Sequence, residues 1–281
     1  MLIRVCKIAA IIISMAIFTG NTYLRAEEGE PKGLISAMSN MDERPTASAD
    51  VSVLSKYVWR GYELSDDSIV LQPSMTISYK NFSMNLWGNL DTDVDEAHGT
   101  NDNLSQFNET DWTLSYGTSF GPVSLEGGYI YYGLDAVDDS EELYLSIGFD
   151  TILSPTLTAY REISHAPGWY FTFDLSHSFE LPKKITLDLS GSVGYYYSDD
   201  KNFVEIKDSG QVATSTEYKN FHNGLLSIAL TIPVNEFCSI SPMLAYSFPL
   251  TDDADNQIEA TNGFSDDSDY AFGGITISIA F

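Results

Sequence analysis

The chain is short of the features that hold small exported domains together and of those that grip nucleic acid. It has two cysteines, Cys6 and Cys238. Cys6 falls in an N-terminal segment that reads as a removable signal, so Cys238 stands alone and an internal disulfide is excluded. Lysine and arginine number 14 against 40 aspartates and glutamates, a net charge of −26. Without clustered lysine and arginine the chain cannot hold a phosphate backbone, which excludes nucleic acid as a partner. No stretch after the signal approaches the length of unbroken apolar sequence that a spanning helix needs, so any bilayer crossing must be made by strands. Catalytic pairings are also missing. None of His98, His165, His177 or His222 has a serine two residues on, and Ser176-His177-Ser178 puts the serines on the opposite strand face from the histidine. The sequence therefore reads as a non-enzyme.

What is present begins with a targeting signal. Arg4 and Lys7 precede the apolar run Ile8–Phe18, and Tyr23-Leu24-Arg25-Ala26 supplies a cleavage site, so residues 1–26 read as a signal peptide. Residues 27–49 carry no period and read as a flexible periplasmic lead-in, with folding into a lumen as a second option. From Asp50 to the C-terminus the sequence alternates with a period of two, and residues 50–281 read as one β-domain.

The final stretch shows the alternation most clearly. Ile275, Ile277, Ile279 and Phe281 point one way, and Gly274, Thr276, Ser278 and Ala280 the other. An apolar outer face, a small or polar inner face and a terminal aromatic residue suit the closing strand of a transmembrane barrel. Further back, Val51, Val53, Ser55, Tyr57 and Trp59 form one face of a first strand predicted to end near Arg60-Gly61. About twelve strands follow from the pattern, with short connections near residues 81, 121, 153, 183 and 235 and long ones near 64, 99, 137, 165, 208 and 258. Short turns at one end and long loops at the other describe an antiparallel up-and-down barrel of about twelve strands with both termini periplasmic.

Parity places Glu126, Asp174 and Asp188 on the inner face, because ionised groups facing lipid at mid-membrane would cost a few kcal/mol each. Arg60 at the end of the first strand, with Gln72 opposite, is the most suggestive polar pair, and Asp91 joins these five as a candidate for lining a lumen and setting its selectivity. The run Asp91-Thr92-Asp93-Val94-Asp95-Glu96 begins like a calcium loop. It has Glu96 where glycine is needed and Asp102 where a bidentate glutamate is needed. Asp91, Asp93 and Asp95 are thus candidates for loosely held Ca2+ or Mg2+ at acidic loops, and no other cofactor is expected.

The stretch Ser55-Lys56-Tyr57-Val58-Trp59-Arg60-Gly61, then Gln72, then Leu86-Trp87-Gly88-Asn89-Leu90-Asp91 resembles the opening of the TorF family of porin-like outer-membrane proteins. Glu126-Gly127-Gly128-Tyr129, Glu141-Glu142-Leu143-Tyr144 and Leu189-Ser190-Gly191-Ser192-Val193-Gly194-Tyr195-Tyr196 are similar to later pieces of that family. Lys56 stands where an aspartate is common, and Gly88 where a serine is. The resemblance implies a Gram-negative outer-membrane barrel with pore activity and no defined solute.

Taken together, the expectation is a porin-like channel for passive diffusion of small polar solutes. Its acidity should favour cations by raising their local concentration. The alternative is a non-conducting barrel whose acidic external loops bind a ligand, divalent cations or another surface. The expected partners are outer-membrane lipids and the barrel-assembly machinery; the oligomeric state is left open.

Overall fold

A computed structural model of the chain describes residues 44–93, 105–135, 137–207 and 212–281. The signal segment, the lead-in up to residue 43 and Asp95 lie outside the described residues. In chain order the first elements are β1 (Thr46–Leu54), the short pair β2 (Val58–Trp59) and β3 (Tyr62–Glu63), β4 (Val70–Tyr79), β5 (Phe82–Asp91), β6 (Gln106–Phe120) and β7 (Val123–Leu134). Then come β8 (Ser140–Phe149), β9 (Thr156–Glu162), β10 (Gly168–Leu181), β11 (Ile185–Ser198), β12 (Val204–Lys207) and β13 (Val212–Glu217). β14 (Lys219–Pro233), β15 (Cys238–Pro249), helix α1 (Asp252–Thr261) and β16 (Tyr270–Ala280) complete the chain.

Among the described residues, twelve antiparallel strands close into one barrel, in the order β1-β16-β15-β14-β11-β10-β9-β8-β7-β6-β5-β4 and back to β1. The closing strand does what its pattern requires. Val51 pairs with Ile277 and Val53 with Ile275. Ala47 and Phe281 exchange both backbone hydrogen bonds at 2.9 Å, so Phe281 belongs to the ladder. Closure leaves no sheet edge, which is what allows a strand structure to stand in an apolar medium. The described ends of the chain meet at the end carrying the short turns.

Alternation sorts the side chains by face. Met75, Ile77, Trp112, Leu114, Leu145, Phe173, Leu226, Ile228, Leu244, Ile275, Ile277 and Ile279 stand on the outside and are exposed. An apolar band of this extent around a whole molecule needs an apolar surrounding. Aromatic pairs mark both rims: Phe82 and Tyr116 meet edge to face at the short-turn end, while Trp169 stacks on Phe171 and Tyr195 meets Phe221 towards the other end.

Two expectations need correcting. The first strand begins at Thr46, inside the stretch read as lead-in, and ends at Leu54. Tyr57 and Trp59 keep the alternation, but the chain has already left the wall. Residues 58–63 form a separate hairpin, β2–β3, in which Val58 pairs with Glu63 and Trp59 with Tyr62. Its two-residue turn is Arg60-Gly61, with φ of 44° and 88°; two positive φ values are what a tight I′ hairpin turn demands. The other correction is α1, which lies within a connection expected to be only an acidic loop. Thr251 caps it by accepting a hydrogen bond from the Ala254 amide at 3.1 Å, and Asp252, Asp253 and Asp255 occupy its first turn, where the helix dipole favours acids.

Candidate functional site

The hairpin β2–β3 turns inward and crosses the lumen. It leaves the wall between β1 and β4, and its tip reaches β8, β9 and β10, the strands on the far side of the ring. There the Arg60 guanidinium donates from both terminal nitrogens to the two carboxylate oxygens of Glu142 on β8, at 3.1 and 3.2 Å. Both side chains are buried, at 3% and 2% exposure. The same guanidinium lies over the rings of Tyr170 at 4.0 Å and Tyr160 at 4.9 Å, with its neighbour Trp59 at 4.6 Å. A planar cation held edge-on by a carboxylate and face-on by aromatic rings satisfies both of its bonding modes.

The surroundings fix that arrangement. Tyr132 donates to Glu142 at 3.2 Å, and Tyr170 donates to Asn223 at 2.7 Å. A Cβ at Gly194 would collide with the Tyr170 hydroxyl, so glycine there makes room for the ring. Tyr144, Tyr160, Tyr170 and Tyr196 follow one another around the wall with ring centroids 5.8–6.4 Å apart. Tyr57, Trp59 and Tyr62 on the hairpin, Val70, Trp87, Ile130 and Tyr132 on the wall and Ile258 of α1 pack into one buried cluster. Aromatic packing of this kind contributes beyond its buried area. Helix α1 thus lies against the hairpin from the long-loop side, and it is tied to β12 where the Ile206 amide donates to Gln257 at 3.1 Å.

The base of the hairpin is held by charge. Lys56 bonds Glu63 at 2.8 Å and also bonds Asp67. Partial burial works against the Lys56 ammonium, but the hydrogen bonds to Asp67 and Glu63 outweigh it and hold its pKa above the usual lysine value. Burial pushes the Glu63 carboxyl up, against the opposing pull of Lys56. Within the barrel strands, the lysines and arginines among the described residues are Arg161 and Lys219, both on the outer face beside Trp169 and Tyr197. No lysine or arginine of the described barrel strands therefore faces the lumen, and Arg60 is brought into it by the hairpin.

Below the hairpin, towards the short turns, the wall changes character. Glu126 is exposed to the interior and accepts from Tyr144 at 2.6 Å. Asp174 accepts from Thr172 at 2.7 Å. Asp188 accepts from Ser178 at 2.5 Å, Thr231 at 3.0 Å and Thr186 at 3.1 Å. Hydroxyls pair across strands at Ser52–Thr276, Ser78–Ser83, Ser146–Thr158 and Ser190–Ser227. This half is hydroxyl and carboxylate; the other is aromatic and closed by the hairpin.

Of the residues singled out from sequence, Arg60 meets Glu142, and Gln72 is not opposite it. Gln72 donates to Asn89 at 3.0 Å on the near wall, because Arg60 rides the hairpin across the lumen. Asp91 is buried and occupied, accepting from Ser68 and from the Asp93 amide at 3.0 Å. Among the described residues no three His, Cys, Asp or Glu side chains gather as a metal site. Sequence reasoning missed Glu142, the tyrosine row and the acids of β6. Glu109 accepts from Tyr57 at 2.9 Å, whereas both oxygens of Asp111 are buried with no hydrogen-bond donor. The signal for Glu142 and Tyr144 was their inward parity two residues apart on one strand, which the adjoining Glu141 obscured.

No protein-family model and no curated protein matches the chain. Solved structures do. One, described as the NanC porin, is 9% identical, with 82% of this chain and 98% of that one covered at a TM-score of 0.52. Another, described as the KdgM porin, is 11% identical, with 83% and 99% covered at a TM-score of 0.50. At these identities the likeness shows the barrel fold.

Proposed function

We propose that this chain is an outer-membrane, porin-like channel for small polar solutes, with cations favoured over anions. The observation that carries the reading is the inner wall: Glu126, Asp174 and Asp188 stand there among hydroxyls, with no lysine or arginine of the described barrel strands beside them. Fixed carboxylates in a confined lumen raise the local concentration of cations and repel anions. The apolar outer band suits lipid, and two structural likenesses are to proteins described as porins. Both described termini lie at the short-turn end, which fits the periplasmic side of such a barrel. The signal segment would be cleaved on export.

The test is single-channel recording of the refolded barrel in planar bilayers under KCl gradients. Steady openings with a cation-selective reversal potential are expected, and changing Glu126, Asp174 and Asp188 together to their amides should move that potential towards zero. Anion preference, or selectivity untouched by the triple change, would refute the reading.

A second reading has a specific observation behind it. The long-loop end is filled by β2–β3 and α1, which pack into a buried cluster. A barrel closed in this way would be silent, and its acidic loops would be the working surface. Folded but persistently silent barrels would favour it.

A further inference from the structure

The packing around Arg60 is a finished recognition site whose ligand is part of the chain. Glu142 supplies two parallel acceptors at 3.1 and 3.2 Å, Tyr160 and Tyr170 supply ring faces at 4.9 and 4.0 Å, and Tyr132 holds the carboxylate from behind at 3.2 Å. These groups all belong to the barrel wall. The guanidinium belongs to a two-strand hairpin anchored at the opposite wall, which the barrel ladder does not require. The site is therefore preformed by rigid strands and filled by a tethered group.

We propose that the Glu142–Tyr160–Tyr170 cage is a binding site for small solutes bearing a guanidinium group, with Arg60 as the resident occupant that such a solute displaces. The chemistry selects the class. A bidentate carboxylate matches the planar fork of a guanidinium, and an ammonium can use only one of the two acceptors well. The flanking rings reward a flat cation over a hydrated spherical one. Displacement frees the Arg60 guanidinium from the far wall, so the same event binds the solute and removes one of the contacts that hold the hairpin across its route. The proposal deepens the channel reading and rests on it for that route. Recognition by the cage does not depend on conduction.

The experiment uses the refolded full chain with Arg60→Gly. Glycine suits the positive φ of 44° at this turn position, so the hairpin keeps its backbone while the cage loses its occupant. Titration with methylguanidinium chloride, read calorimetrically, should give saturable binding. Equal concentrations of methylammonium or potassium chloride should bind at least about tenfold more weakly, and Glu142→Gln in the same background should weaken methylguanidinium by about tenfold or more, the loss of one charge-assisted contact. If Arg60→Gly fails to refold, Arg60→Lys takes its place, since its single-point contact should yield to methylguanidinium at a lower concentration than the native arginine does. A folded variant with no saturable binding, or with binding indifferent to Glu142→Gln, overturns the proposal. Silent bilayers with intact binding would sink the channel and leave the cage; steady conduction without binding would sink the cage alone.

Discussion

Arg60 and Glu142, 82 positions apart in sequence, meet across the lumen through a two-pronged ion pair that is almost wholly buried. Their energetic relation is asymmetric. Removing one partner leaves the other charged and desolvated, which typically costs about 3–5 kcal/mol, whereas replacing both by apolar groups of similar volume is near neutral. Arg60→Met and Glu142→Leu should each lower the urea midpoint of the refolded barrel strongly, and the double variant should recover most of the loss. Singles that unfold like the parent would show that the pair is not coupled to the fold.

Gly61 is the hinge of the same contact. Its φ is 88°, and a Cβ there would lie 3.0 Å from both Asn223 Cβ and Ile258 Cδ1. An alanine would meet the left-handed penalty of about 1–2 kcal/mol in addition to that crowding. Gly61→Ala should therefore speed amide exchange across residues 56–64 while exchange in the barrel strands stays as it was. Uniform acceleration through β4–β11 would instead mean that the hairpin is a structural keystone of the whole barrel.

How much of this was legible beforehand differs by scale. Period-two alternation and the sorting of loop lengths gave the twelve-strand barrel, and β9 came out at the bounds its alternation suggests. The hairpin was hidden because Tyr57 and Trp59 continue the alternation of Val51 and Val53 after the chain has turned inward; parity records extended backbone, not which wall it lies on. The turn itself was signalled by Arg60-Gly61. Likewise Thr251 followed by Asp252, Asp253 and Asp255 is a helix start, masked by its resemblance to a plain acidic loop. Glu142 escaped because partners on opposite walls share no local pattern.

Asp111 is a buried acid whose carboxylate oxygens have no hydrogen-bond partner among the described residues. It is 0% exposed, and Glu109 lies two residues away on the same inward face. An unsatisfied buried acceptor costs about 1–3 kcal/mol, and more when charged. Asp111→Asn keeps the shape and removes the need to bury an ionisable carboxyl, so it should raise the thermal midpoint of the refolded barrel at pH 7. A lower midpoint would show that Asp111 is stabilised by something the amide cannot replace.

Glu259 lies in α1 with Asp255, Asp266 and Asp267 around it, and partial burial together with those like charges pushes its carboxyl above the ordinary value of 4.5. The folded state therefore binds its proton more tightly than the unfolded state. By linkage this contribution is fully present below the ordinary carboxylate value and is lost as pH rises through the raised one. The α1 segment should consequently be better protected at pH 4 than at pH 7 in hydrogen exchange corrected for intrinsic rates. Glu259→Gln should flatten the difference and hold the segment near its low-pH protection throughout. Because the side chain is only partly buried, salt should weaken the effect by screening the three aspartates. If the glutamine variant keeps the full pH dependence, the neighbouring aspartates are the groups that titrate, and Glu259 is only their neighbour.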